Sequence, residues 1–171
     1  MPVTPKTSAA HVAWVVPCFD EAARIDGPAL LALVEACTPA SLILVDDGSR
    51  DQTGERLREI AAARPDQVEV ITLPENKGKG EAVRQGLLRA LSRGAEQGAE
   101  ILAYVDADLS TPPSELCRLA ALARSGAYDV LMGSRVQLLG HAIEPGSKLR
   151  TTAALRSGLD LFRLGLRLRR P

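Results

Sequence analysis

Two carboxylates stand two residues apart in Asp106-Ala107-Asp108, where an apolar run from Ile101 to Val105 gives way to Ser110-Thr111-Pro112-Pro113. The run is β-branched and aromatic enough for a buried strand, and the prolines beyond it cannot continue one. The pair is therefore expected at the carboxyl end of a strand, the edge of an open α/β sheet where ligands bind. Hard divalent cations take oxygen ligands, and Mg2+ is commonly held by one or two carboxylates plus substrate phosphates. A metal–diphosphate site is the chemistry this spacing suits. Taken alone, the pair also fits two solvated turn aspartates.

Other strand ends add to it. Val12–Val16 is an apolar run ending in Pro17-Cys18-Phe19-Asp20-Glu21, and Leu42–Val45 ends in Asp46-Asp47-Gly48-Ser49. In a parallel sheet these ends share one edge, so several carboxylates converge and repel one another unless cations or donors sit among them. A metal ion, with hydrogen bonds to a base edge or ribose, would relieve that repulsion. Acidic turn chemistry explains any one of these ends equally well. The positive complement is Asn76-Lys77-Gly78-Lys79-Gly80, which feeds a helix N-terminus whose amides and dipole favour anions, with Arg84 one turn inside. Gly80 follows Lys79 where a P-loop needs Ser or Thr, and no Gly-x-Gly-x-x-Gly follows a strand, so a nicotinamide fingerprint is absent.

The elements that must position these residues alternate. Helical stripes are expected at Leu30, Leu31, Leu33 and Val34 (with Pro28 in the first turn), at Leu57, Ile60 and Ala61 (capped by Asp51 or Thr53), at Val83, Leu87, Leu88 and Leu91, and at Leu116, Leu119, Ala120 and Leu122. Strands are expected at Val12–Val16, Leu42–Val45, Val68–Leu73 and Ile101–Val105, with a short fifth at Val130–Met132 before Gly133-Ser134-Arg135. Strand–helix alternation of this length implies right-handed βαβ units and a doubly wound, mainly parallel α/β sheet.

At 171 residues the chain suits one domain, and its zero net charge offers no global attraction to nucleic acid. The average hides a split: residues 1–144 carry 14 basic against 20 acidic side chains, whereas 145–171 carry seven basic side chains and only Asp160. Cys18, Cys37 and Cys117 are odd in number and far apart, which reads as reduced thiols in a cytoplasmic protein. Residues 1–10 read as a disordered polar leader, 11–144 as the α/β domain that carries these strand ends and 145–171 as a basic tail of different composition. No apolar run approaches the length of a membrane span.

Five segments taken in order resemble family 2 glycosyltransferases of the GT-A fold. They are Val16-Pro17-Cys18-Phe19-Asp20-Glu21, Val45-Asp46-Asp47-Gly48-Ser49-Arg50-Asp51-Gln52-Thr53, Asn76-Lys77-Gly78-Lys79-Gly80, Val105-Asp106-Ala107-Asp108 and Gly133-Ser134-Arg135. The likeness covers about residues 12–144 and is strongest to the dolichyl-phosphate β-glucosyltransferase and polyprenyl-phosphate sugar transferase branch, whose setting is cell-envelope glycan biosynthesis. It implies an inverting transfer from a nucleotide diphosphate sugar, UDP-glucose or similar, to a polyprenyl or dolichyl phosphate. By the same resemblance Pro17, Phe19 and Glu21 line the nucleotide pocket and Asp47, with Gly48 and Ser49 beside it, contacts the base. Lys77, Lys79 and Arg84 lie beside the nucleotide, and Asp106 with Asp108 holds Mg2+ or Mn2+ on the diphosphate. Arg135 sits near the sugar or acceptor phosphate. One departure is Asp20, where the family usually has Asn; its charge should weaken diphosphate binding unless compensated.

Past Glu144 the likeness ends and a Leu/Arg/Gly-rich stretch follows, as expected of a truncated or frameshifted product. Leu155, Leu159, Phe162 and Leu166 can share a helical face with Arg156, Arg163, Arg167 and Arg170 around it, which would suit peripheral contact with the cytoplasmic face of a membrane; a poorly packed tail is the other reading. Two readings of the whole follow: an active metal-dependent transferase, or a nucleotide-sugar-binding fragment without the acceptor half. A response-regulator-like domain fits less well. Its acidic pair follows the first strand, not the second, and Asp106-x-Asp108 would have no role.

Overall fold

The computed structural model describes residues 10–97 and 99–133. Residues 1–9 of the expected leader at 1–10, Ser134 and Arg135, and the basic tail lie outside the described residues. Contacts divide the chain between Gly133 and Ser134, and the described residues all belong to the first unit.

Four strands, β1 (His11–Cys18), β2 (Ala40–Asp46), β3 (Val68–Thr72) and β4 (Ala99–Tyr104), alternate with α1 (Gly27–Ala36), α2 (Thr53–Ala63), α3 (Lys79–Gln97) and α4 (Pro113–Arg124). All pairings are parallel, in the order β3-β2-β1-β4. The order reverses direction between β1 and β4, which places the topological switch point beside the carboxyl end of β1. Side chains alternate between two cores. Val12, Trp14, Val16, Leu42 and Leu44 pack with α1, α2 and α4 on one face. Ala13, Val15, Ile43 and Val45 pack under α3 on the other. Covering both faces is why β1 and β2 read as unbroken apolar runs.

β1 does not stop at Pro17, as its sequence suggests, but continues to Cys18 in register with Asp46. The Val15 carbonyl accepts the Val105 amide and the Cys18 carbonyl accepts the Asp47 amide, so alternate residues face β4 and β2. Pro17 is therefore on the β4 side, where pairing has ended at Val15↔Tyr104, and its missing N–H leaves no ladder bond unmade.

α3 also differs from its expected stripe. Its buried face is Ala82, Gly86 and Ala90, while Leu88 and Leu91 are about half exposed. A Cβ at Gly86 would lie 2.3 Å from Val15 Cγ1 and 3.0 Å from Val45 Cγ2, so small residues, not leucines, set the helix close on the sheet. No fifth strand forms over 130–132. Val130 and Met132 are both 76% exposed, and a three-residue run that buries neither has nothing to hold it on the edge of β4.

Cys37 and Cys117 are not reduced thiols: they form a disulfide with Cα atoms 5.3 Å apart, across 80 residues of sequence. The pairing is invisible in the sequence because only the packing of α1 against α4 creates it. Arg124, the last residue of α4, adds hydrogen bonds to the carbonyls of Ala10, Cys37 and Pro39.

Candidate functional site

The carboxyl ends of β1, β2 and β4 and the start of α3 enclose a cleft of about 330 Å³, within the range of small-ligand sites. β1 supplies Pro17, Cys18, Phe19 and Glu21; β2 supplies Asp47; the loop after β3 and α3 supply Asn76, Lys79 and Ala82; the loop after β4 supplies Asp106, Ala107 and Asp108.

Strand alternation persists into the loop after β4. Val105 and Ala107 are buried, so Asp106 and Asp108 are left on the open side. Asp108 accepts the Ser110 amide at 2.9 Å, and the Leu109 amide donates to the Asp106 carbonyl at 3.1 Å. Leu109 lies in the left-handed region at φ 45°, a strained conformation for leucine that the surrounding turn must hold.

Asp47 is 2% exposed and has more partners than its position at a strand end discloses. Its two carboxylate oxygens accept the amides of Lys77 at 2.9 Å and Gly78 at 2.8 Å. It thereby carries the basic loop to the acidic edge. Each oxygen keeps a further lone pair for a ligand. Gly48 makes the approach possible: its φ is +68°, and a Cβ there would lie 2.5 Å from the Glu75 carbonyl carbon.

Four carboxylates and one ammonium face the cleft. Lys79 Nζ lies 2.5 Å from Asp106 Oδ1, so a cation already sits on the metal-type pair. The Glu21 carboxylate accepts from Arg24 at 2.6 Å through Oε1, while Oε2 is buried without a partner among the described residues. Burial, then Glu21 and Asp46, push the Cys18 thiol up to about 12. Among the described residues no group of three or more His, Cys, Asp or Glu side chains could hold a metal ion. A pair of hard carboxylates is nonetheless the donor type Mg2+ and Mn2+ take when other oxygens complete the shell, so the pair fits such an ion.

Several expected site residues are elsewhere. Lys77 points its ammonium to Glu75 at 3.7 Å and contributes through its amide. Arg84 pairs with Glu81 at 2.6 and 2.8 Å. That pairing, with Gln85 also donating, holds the Glu81 carboxyl down at about 2. Gly48 and Ser49 shape the loops and do not line the cleft, and Arg135 lies outside the described residues. Sequence reasoning missed the lining roles of Cys18, Asn76, Ala82 and Ala107. Cys18, Asn76 and Ala107 carried a signal, by lying inside the segments already singled out; Ala82 carried none.

A parallel sheet with a cleft at its switch point is the architecture of doubly wound α/β folds, the GT-A fold among them. A mannosyltransferase from Pyrobaculum calidifontis, solved in complex with GDP-Man and Mn2+, superposes with a TM-score of 0.53 at 24% identity, over 72% of this chain and 34% of that one. Residues 13–155 match the model of Glycosyl transferase family 2, and the chain belongs to that family. Curated relatives include the polyprenol monophosphomannose synthase of Mycolicibacterium smegmatis, 36% identical over 71% of this chain and 43% of that protein. The undecaprenyl-phosphate 4-deoxy-4-formamido-L-arabinose transferase of Aeromonas hydrophila is 35% identical over 70% of this chain and 35% of that protein. The chain thus spans less than half the length of either relative. No helix among the described residues is long and apolar enough to cross a membrane.

Proposed function

We propose that the cleft binds a nucleotide diphosphate sugar with Mg2+ or Mn2+, and that the protein serves an inverting transfer of the sugar to a polyprenyl-type phosphate. The observation that carries this reading is the convergence of Glu21, Asp47, Lys79, Asp106 and Asp108 on one cleft at the switch point. Pro17 and Phe19 offer an apolar wall for the base. Asp47 and the unpartnered Glu21 oxygen accept from base or ribose. Asp106 and Asp108 hold the metal against the diphosphate, and Lys79, released from Asp106, turns to the phosphate oxygens. Arg135, from family resemblance, serves the sugar or acceptor phosphate.

The bound metal supplies Lewis-acid stabilisation of the charge that grows on the leaving nucleoside diphosphate. In a single displacement the acceptor oxygen forms the new bond at the anomeric carbon as the bond to the diphosphate breaks, which inverts that carbon. A phosphate acceptor is already ionised and needs no general base. UDP-glucose is the donor to try first, and a dolichyl- or undecaprenyl-type phosphate the acceptor. An acceptor of that kind would bring the protein to a membrane surface.

The test is calorimetric titration with UDP-glucose and Mn2+, followed by transfer of labelled glucose to a polyprenyl phosphate. Binding and transfer together support the proposal. A second reading, binding without transfer, is favoured by the chain spanning 43% and 35% of the two relatives, and titration without transfer would select it. Absence of metal-dependent binding to UDP-glucose, GDP-mannose and their nucleoside diphosphates would sink both.

A further inference from the structure

Three consecutive amides of the loop after β1 are taken by three side chains of the loop after β2. The Asp20 amide donates to Ser49 Oγ at 3.1 Å, the Glu21 amide to Thr53 Oγ1 at 2.8 Å and the Ala22 amide to Asp51 Oδ2 at 3.1 Å. Two bonds return: the Arg50 amide donates to Asp20 Oδ1 at 2.8 Å, and the Arg56 guanidinium donates to the Ala22 carbonyl. We infer that Asp20, Ser49, Asp51 and Thr53 form a strap that positions Phe19 and Glu21, and that none of the four is itself a nucleotide ligand.

The cleft is lined by Phe19 and Glu21 but by none of the strap residues. Thr53 is fully buried. Its hydroxyl has one proton, which it donates to Asp51 Oδ1, and this leaves its lone pairs for the Glu21 amide. Asp51 thus orients the hydroxyl that fixes Glu21. The same hydroxyl holds the Asp51 carboxyl below its ordinary range. Asp20 lies at φ 49°, in the left-handed region that Asp and Asn enter more readily than other side-chain-bearing residues. A short acceptor in that conformation is what the bond from Arg50 demands. The acidic residue is therefore accounted for by geometry: an Asn would make the same bond, and the charge is incidental.

The inference rests on the donor-site reading, so its test combines binding with a ligand-free measurement. The variants are Asp20→Asn, Asp20→Ala, Asp20→Gly, Thr53→Ser and Thr53→Val. UDP with Mn2+ is titrated by calorimetry, and hydrogen exchange of residues 19–25 is followed in the ligand-free protein. Asp20→Asn and Thr53→Ser keep their acceptors and should bind within about twofold of wild type. Asp20→Ala, Asp20→Gly and Thr53→Val should weaken binding about five- to tenfold. In those three, exchange at Asp20–Ala22 should rise while β2 stays protected; Asp20→Gly separates the acceptor from the backbone conformation, because glycine keeps the latter. Asp20 is exposed, so its variants should melt close to wild type.

Severalfold tighter binding by Asp20→Asn would overturn the strap in favour of simple charge repulsion. Unchanged binding by Asp20→Ala with its amides deprotected would show that loop position does not matter to the site. Failure of wild type to bind either UDP or GDP with Mn2+ refutes the donor-site reading instead. The strap is then decided by exchange alone, and amides at 20–22 that exchange freely in wild type would refute it.

Discussion

Gly48 decides whether the acidic end of β2 and the basic loop before α3 can meet. Any side chain there faces a left-handed backbone and a main-chain atom at 2.5 Å. Gly48→Ala should cost about 2–4 kcal/mol of stability, read as a lowered urea midpoint, and should deprotect the Lys77 and Gly78 amides that Asp47 holds. An unchanged midpoint would mean the loop is not seated as described. At this scale residue types were legible and partners were not. Acidic residues at strand ends announced themselves, but that Asp47 accepts two amides 30 and 31 residues away is a product of the β2–β3 register. Likewise Arg84 carried the right charge, but a Glu at i−3 claims it.

At the scale of elements, strand–helix alternation sufficed to place all four strands and four helices, because period and punctuation are local signals. What failed was set by neighbours. Leu88 and Leu91 of α3 looked like its core face but are exposed. Ala82, Gly86 and Ala90 pack on the sheet instead, with Leu87 partly buried beside them, since β1 and β2 already fill that space with Val15 and Val45. Gly86→Ala tests this directly. An exposed helix glycine gains up to about 1 kcal/mol on becoming alanine, but here the clash should reverse the sign and destabilise by about 1–3 kcal/mol in urea unfolding. A stabilised variant would place another face of α3 on the sheet. The α1–α4 disulfide was likewise unreadable, being a contact between helices 80 residues apart. By chain entropy alone, closing a loop of that length stabilises by about 4.5 kcal/mol. The Cys37→Ser/Cys117→Ser double variant should therefore unfold at lower urea, and wild type should match it once reduced.

For the whole molecule, stability should depend on pH through His11 at the start of β1. Its Nδ1 is buried and unpartnered among the described residues; burial first, then Arg93 and Arg124, hold its pKa below the ordinary 6.5. The folded protein keeps the ring neutral, so the unfolded chain takes up the proton first. The contribution is complete above pH 6.5 and is lost as pH falls below it. Melting temperatures between pH 5 and 8 should show that loss in wild type and less of it in His11→Gln; identical profiles would assign the slope to other groups. That the acidic strand ends share one cleft was legible, because chain order and strand ends are sequence properties. The single Lys79 in an otherwise acidic cleft was not, since that depends on which cations turn inward.

The central claim is a metal-requiring diphosphate clamp on Asp106 and Asp108, and calorimetry of UDP binding with Mn2+ against EDTA tests it most directly. Wild type should bind about tenfold or more tightly with Mn2+ than without, and Asp106→Asn and Asp108→Asn should each abolish that difference while remaining folded. Equal binding with and without metal, or metal dependence that survives in both variants, would contradict the account.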